Sequence, residues 1–253
     1  MRTTHAVLIA VVALLAIGGL WQPHDPDAVD ILARHSGMTF EHPLGTDHLG
    51  RDLLSRIMVG GWRTGFVIVM VGLIGFTIGG TLGTTAAVLD GWQEALILRA
   101  CEFFIMVPTL VVALTAAAVF GLSPISAGIA LGLAGVGPHA LLAHSLTKRV
   151  LAQPFMMATK SLGISAANTI IRHLLPNSLP LMFAYSANQA GLAVVSYASL
   201  AFIGLGADPT KPDWGSMLFE YRVFIFDHPM LIIWPGVAIA AVVTVLNWSF
   251  KDS

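Results

Sequence analysis

Reactive side chains are few in this sequence, and most of them are histidines. His24, His35, His42, His48 and His228 lie between the long apolar runs, and imidazole is a ligand for nickel, copper and zinc. No two of them have the compact spacing that sets ligands on one helix face, so no metal site is expected. Cys101 is the single cysteine, which excludes an intrachain disulfide and cysteine-based metal sites, and it reads as a packing residue. His139 is the one histidine inside an apolar run and has no acid or nucleophile at helical spacing, so no catalytic pair is expected. The phosphate-cradling pattern Gly-x-x-x-x-Gly-Lys-Ser/Thr is missing, so the chain cannot use ATP alone.

Other polar groups suggest positioning rather than chemistry. Gly45-Thr46-Asp47 and Gly50-Arg51-Asp52 join turn-forming glycines to short acids within reach of local amides, Arg51 and Arg56. A structural clasp is expected there. Arg99 and Glu102, three apart, share a helix face and suit an ion pair. Asn188 and Gln189 fall inside an apolar run, where they either line a path or hydrogen-bond a neighbouring helix. In the polar stretch 155–176, Gly163 suits a break between two short helices, Ser165 a cap and Pro176 a stop. Such an amphipathic element fits a groove on a partner.

The elements that hold these groups follow from composition. The sequence is 56% hydrophobic and 11% charged with a mean hydropathy of +0.79, outside the range of soluble domains. Its apolar residues form runs that match a hydrocarbon core of about 30 Å at ~1.5 Å per helical residue. An all-α polytopic membrane protein is expected, with about six spans at 6–21, 66–89, 103–120, 125–142, 181–205 and 230–248. Residues 1–21 read as a retained first helix, because no small-x-small cleavage site follows the run and Trp21 suits the interface. Residues 22–63 form an external segment, and 64–253 form the core with five spans and a loop at 143–178. That loop carries Lys148, Arg149, Lys160 and Arg172 between 144 and 178 with no acid, the sign of a cytoplasmic segment, which puts both termini inside. Trp214 is expected at the outer interface, and Gly204 and Gly206 at the end of the fifth span. The strip Gly75, Gly79 and Gly83 suits close helix packing, within the chain or against another subunit. A net charge of −1 gives no footing for nucleic acid.

Three separated segments resemble one family. Ala158, Gly163, His173 and Pro176 match the cytoplasmic loop of ABC importer permeases, with Met157 where that family has Glu and Thr159 where it has Ala. His42-Pro43-Leu44-Gly45-Thr46-Asp47-His48-Leu49-Gly50-Arg51-Asp52-Leu53-Leu54-Ser55-Arg56 is similar to the stretch before the second span in the dipeptide, oligopeptide and nickel group. So is Ala198-Ser199-Leu200-Ala201-Phe202-Ile203-Gly204-Leu205-Gly206, followed by Pro209, Pro212 and Trp214-Gly215. The resemblance implies a type I ABC importer permease fold in a bacterial inner membrane. It implies a second homologous permease, two cytoplasmic ATPase subunits that hold ATP and Mg, and an external solute-binding protein. Cofactors bound by this chain are expected to be none. Met157, Ala158, Gly163, His173 and Pro176 would form the ATPase-coupling loop, and peptides, nickel or metal chelates would be the cargo. The alternative from another class is a gradient-driven carrier or channel, which usually needs ionisable groups near mid-membrane that these spans lack.

Overall fold

The computed structural model describes residues 13, 15–89, 91–156, 172, 174–204 and 210–249. The described residues contain helices and no strand; Thr46 and Asp52 make one isolated antiparallel bridge. Half of the first expected span and most of the loop 155–176 lie outside the described residues.

Helix α1 spans Leu53–Val88, and its start is set by Asp52, whose carboxylate accepts from the Ser55 amide at 2.8 Å. Hydropathy places this start near residue 66, because Arg56 and Arg63 interrupt the apolar run. The helix in fact begins thirteen residues earlier, and residues 22–63 divide into a largely irregular cap, 22–52, and a helical part. At Gly75–Gly79 the helix widens into a π turn.

The run 103–120 is not one straight span. Helix α2, Trp92–Ile105, and helix α3, Thr109–Phe120, meet at an angle of 72°. Pro108 causes the break: it lacks an amide hydrogen and pushes Val107 out of helical geometry. Helix α4, Pro124–Leu151, begins in a reciprocal Ser123–Ser126 capping box and runs nine residues past the expected end. Helix α5, Leu175–Phe202, has Pro176 in its first turn, where a missing amide is tolerated. Pro176 therefore helps to open α5, while the loop helix it is expected to end lies largely outside the described residues. Gly204, with φ +80°, ends α5 as expected. A short helix α6, Trp214–Tyr221, and helix α7, Met230–Ser249, complete the described chain. By length and composition α1, α4 and α7 are apolar enough to cross a membrane, and the bent pair α2–α3 adds a fourth candidate.

Helix α4 is the centre of the bundle and packs against α1, α2, α3 and α5. Half of its most apolar window is buried, against 28% for α1 and 22% for α7, whose remaining faces are left for lipid or other subunits. The close approach depends on glycine. A Cβ on Gly83 would overlap the Ala140 carbonyl oxygen, and one on Gly79 would lie 2.6 Å from the Val136 oxygen and the His139 Cβ. The glycine strip is thus packing within this chain, one of its two expected uses.

Two substitutions on α1 separate this packing from general intolerance. Gly83→Leu should force α1 off α4 and cost about 3 kcal/mol or more by overpacking. Gly72→Ala, with nothing within 4 Å of the added carbon, should be neutral. Thermal unfolding of the detergent-solubilised protein measures both.

Candidate functional site

At the end of the bundle where α1 starts, the cap folds onto α6 through a buried ionic cluster. Residues 30–37 are tied to 45–50 by backbone bonds: the Asp30 amide donates to Leu49 O, His35 to Asp47 O and Thr46 to Ser36 O, at 3.0–3.1 Å. Gly45 and Gly50 have φ +81° and +78°, and a Cβ on Gly50 would overlap the Asp30 carbonyl, so glycine is required there.

These turns aim Asp47 inward. Its Oδ1 accepts from the Leu49 and Arg51 amides at 2.8 and 3.0 Å, and Oδ2 accepts from Arg51 Nε at 2.7 Å and the Tyr221 hydroxyl at 3.0 Å. Arg56 donates to the same Tyr221 oxygen at 3.1 Å, to Glu220 at 3.2 Å and to the Pro26 carbonyl at 3.1 Å. Arg51 also pairs with Glu220. Asp47, Arg51, Arg56 and Tyr221 are all buried. Burial alone would raise the Asp47 carboxyl, but Arg51, the two amides and Arg56 outweigh it and hold it below its ordinary range. Burial opposes the Arg51 charge, which Asp47 and Glu220 sustain. The expected clasp exists, yet half of it was not legible: Glu220 and Tyr221 lie more than 160 residues from their arginines.

A ring stack flanks the clasp. His35 and His228 lie parallel with centroids 3.9 Å apart, and Phe224 bridges His35 to His48 at 5.2 and 5.1 Å. Burial depresses His35 first, with the His228 charge adding to it, and burial likewise depresses His48 against the pull of Asp47 and Glu220. Trp214, expected at the interface, is only 3% exposed. Its ring packs against Gly60 and Gly61, and Nε1–H donates to the Ile57 carbonyl at 2.9 Å, pinning α6 to α1. Beside it, a cavity of about 480 Å³ opens among Asp27, Arg63, Ser123 and Lys211.

Two polar junctions tie the helices together, one buried at His139 and one exposed at Asn188. His139 Nδ1–H donates to the Gly135 carbonyl at 2.8 Å, so Nε2 accepts from the Ser186 hydroxyl at 3.0 Å. Sequence reasoning missed Ser186 because it arrives from α5, 47 residues away. The pair ties α4 to α5 beside the π turn of α1. Both ring nitrogens are thereby taken, and among the described residues no carboxylate bonds the imidazole. Asn188 donates to Asn247 of α7 at 2.6 Å, a helix-to-helix bond, with half-buried Gln189 next to it.

The opposite end carries Glu94, which accepts from His144 at 2.6 Å and Lys148 at 3.1 Å. Arg99 and Glu102 do pair, at 3.7 Å, but they are 84% and 50% exposed and contribute little. Met157, Ala158, Gly163 and His173 of the expected coupling loop lie outside the described residues.

A family model described as "Binding-protein-dependent transport system inner membrane component" matches residues 75–251. The chain belongs to this family. It is 33% identical over 240 residues to a probable D,D-dipeptide transport system permease protein of Escherichia coli, covering 94% of this chain and 80% of the relative. It is 31% identical over 249 residues to glutathione transport system permease proteins of Shigella boydii and Shigella sonnei, covering 98% of this chain and 82% of each. The chain is therefore a multi-pass membrane permease subunit of a type I ABC transport system, within the group to which its motifs pointed. The gradient-driven alternative is set aside.

The clasp yields an ordering of mutational costs. Asp47→Asn should destabilise the protein by about 3 kcal/mol or more, because two buried guanidiniums lose their inner anion. Tyr221→Phe should cost about 1 kcal/mol, the scale of one hydrogen bond. Equal costs in thermal unfolding would contradict this arrangement. Acid should act in two steps. His35 and His48 have lowered folded values, so their contribution is complete above the ordinary 6.5 and falls away as pH drops below it. Asp47 is also lowered, so its contribution is present above the ordinary 3.8 and is lost below it. The double substitution His35→Gln, His48→Gln should abolish only the upper step of a melting-temperature profile against pH.

Proposed function

We propose that this chain forms one half of the translocation path of an ATP-driven importer of small peptides. One observation carries the reading: over more than nine-tenths of its length it is similar to permeases named for D,D-dipeptide and glutathione transport. Nickel or metal-chelate cargo has no such support. The other half of the path is a second homologous permease. Two cytoplasmic subunits bind and hydrolyse ATP with Mg, and an external solute-binding protein delivers cargo. This chain contributes no catalysis and holds neither the ATP nor the Mg of the transport cycle.

On this reading the clasp end faces outward, the Glu94–Lys148 end and both termini are cytoplasmic, and Asn188 and Gln189 lie along the path. The loop with Met157, Ala158, Gly163 and His173, leading to Pro176, seats in the ATPase subunit and transmits its closure as rigid helix movement. Met157, in place of an acid, suits an apolar contact.

Gentle affinity purification of the tagged chain from its native membrane should recover a second permease and P-loop ATPases. Recovery of this chain alone, still active in transport, would overturn the proposal. Gly163→Trp should leave membrane insertion intact but remove the ATPases from the purified complex, because the indole blocks the turn between the loop helices.

A further inference from the structure

His24, His42 and Asp52 are spread over 29 residues of irregular chain, yet each places one ligand atom within 4.8 Å of the others. His42 Nδ1 is 2.9 Å from Asp52 Oδ1, and the two imidazole centroids are 4.7 Å apart with planes inclined by 42°, so the rings converge without stacking flat.

Two of the three ligands are held from behind. Asp52 Oδ2 accepts from the Ser55 amide at 2.8 Å and the Ser55 hydroxyl at 2.7 Å, which leaves Oδ1 toward His42. The His24 backbone amide donates to the same Ser55 oxygen at 3.0 Å. Its Nε2–H donates to the Glu41 carbonyl at 2.8 Å, which fixes the tautomer and leaves the lone pair on Nδ1. A ring hydrogen bond to a backbone carbonyl is the support that metal-ligating histidines commonly have.

A second group, Asp47, His48 and Glu220, meets the same distance condition but is unsuited to a cation. Its carboxylates already pair with Arg51 and Arg56. Asp52 has no such cation, and its ion-pair partner among the described residues is His42.

We propose that His24, His42 and Asp52 form a binding site for a divalent transition-metal ion of the zinc and nickel class. Two imidazoles and one carboxylate suit that class, and half-exposed histidines leave room for water at the remaining position. The ion replaces the proton shared by His42 and Asp52, which leaves to solvent. Bond lengths of about 2.0–2.2 Å require the ligands to close by about 1 Å, a movement the half-exposed His24 ring can make. The ion would staple residue 24 and the turn at residue 42 to the first turn of α1. It is a structural clip rather than a cargo site, and it does not depend on which solute is carried.

Zinc binding to the purified full chain, stripped with chelator and kept in lipid nanodiscs, tests the site by equilibrium dialysis with metal quantification. One Zn²⁺ per chain should bind with a rise in melting temperature, and Mg²⁺ should not compete. His24→Ala, whose ring touches none of the clasp, should keep the metal-free melting temperature and weaken zinc binding by about tenfold or more. His35→Ala should leave zinc binding unchanged. Failure of the wild type to bind zinc, or undiminished binding in a normally folded His24→Ala protein, would overturn the proposal.

Discussion

Direct contact between the backbones of α1 and α4 is the constraint on which the rest of the structure depends. Lipid tails are as apolar as leucine, so two helices gain little from hydrophobic burial in a membrane and must gain from close packing and hydrogen bonds. Gly79 and Gly83 remove the side chains that would hold α1 away from Val136 and Ala140. The His139 ring then fills the space beside Gly75 and reaches Ser186 on α5. The third helix is thus fixed by a polar bond that the first two make room for. The π turn lies at the same level, where the His139 ring sits against the α1 backbone.

Outside this packed region, charge replaces shape as the organising force. Arg56 is buried among Asp47, Glu220, Tyr221 and the Pro26 carbonyl, so one guanidinium joins the cap, α1 and α6. Trp214 does the apolar part of the same task by lying on Gly60 and Gly61. Together they turn a largely irregular segment into a fixed face at one end of the bundle.

Sequence alone made the local half of this legible. Turn glycines announced themselves, and Asp47 and Arg51 are four residues apart, within the reach of any spacing argument. The partners from α6 could not be seen, because pairing across the chain leaves no periodic trace. Trp214 misled for a related reason: an aromatic at a loop edge suits the interface in general, and only Gly60 and Gly61, more than 150 residues earlier, make a slot for it. Hydropathy also proved blind to shape. It registers residues 103–120 as uniformly apolar, although Pro108 divides them at 72°. It placed the start of α1 too late by reading arginine as solvent-facing, whereas the Asp52 carboxylate caps the helix at Ser55 and marks the true start.

The length of α1 has a mechanical consequence. Its 36 residues make a rod of about 54 Å, well beyond the ~30 Å of hydrocarbon it must cross. The cap is mounted on one end of that rod, and the π turn lies 22 residues, or about 33 Å, along it from Leu53. A tilt of only ~10° about the π turn would sweep the cap end through about 6 Å. Such a lever converts a small tilt of α1 against α4 into a displacement the size of an amino-acid residue at the cap.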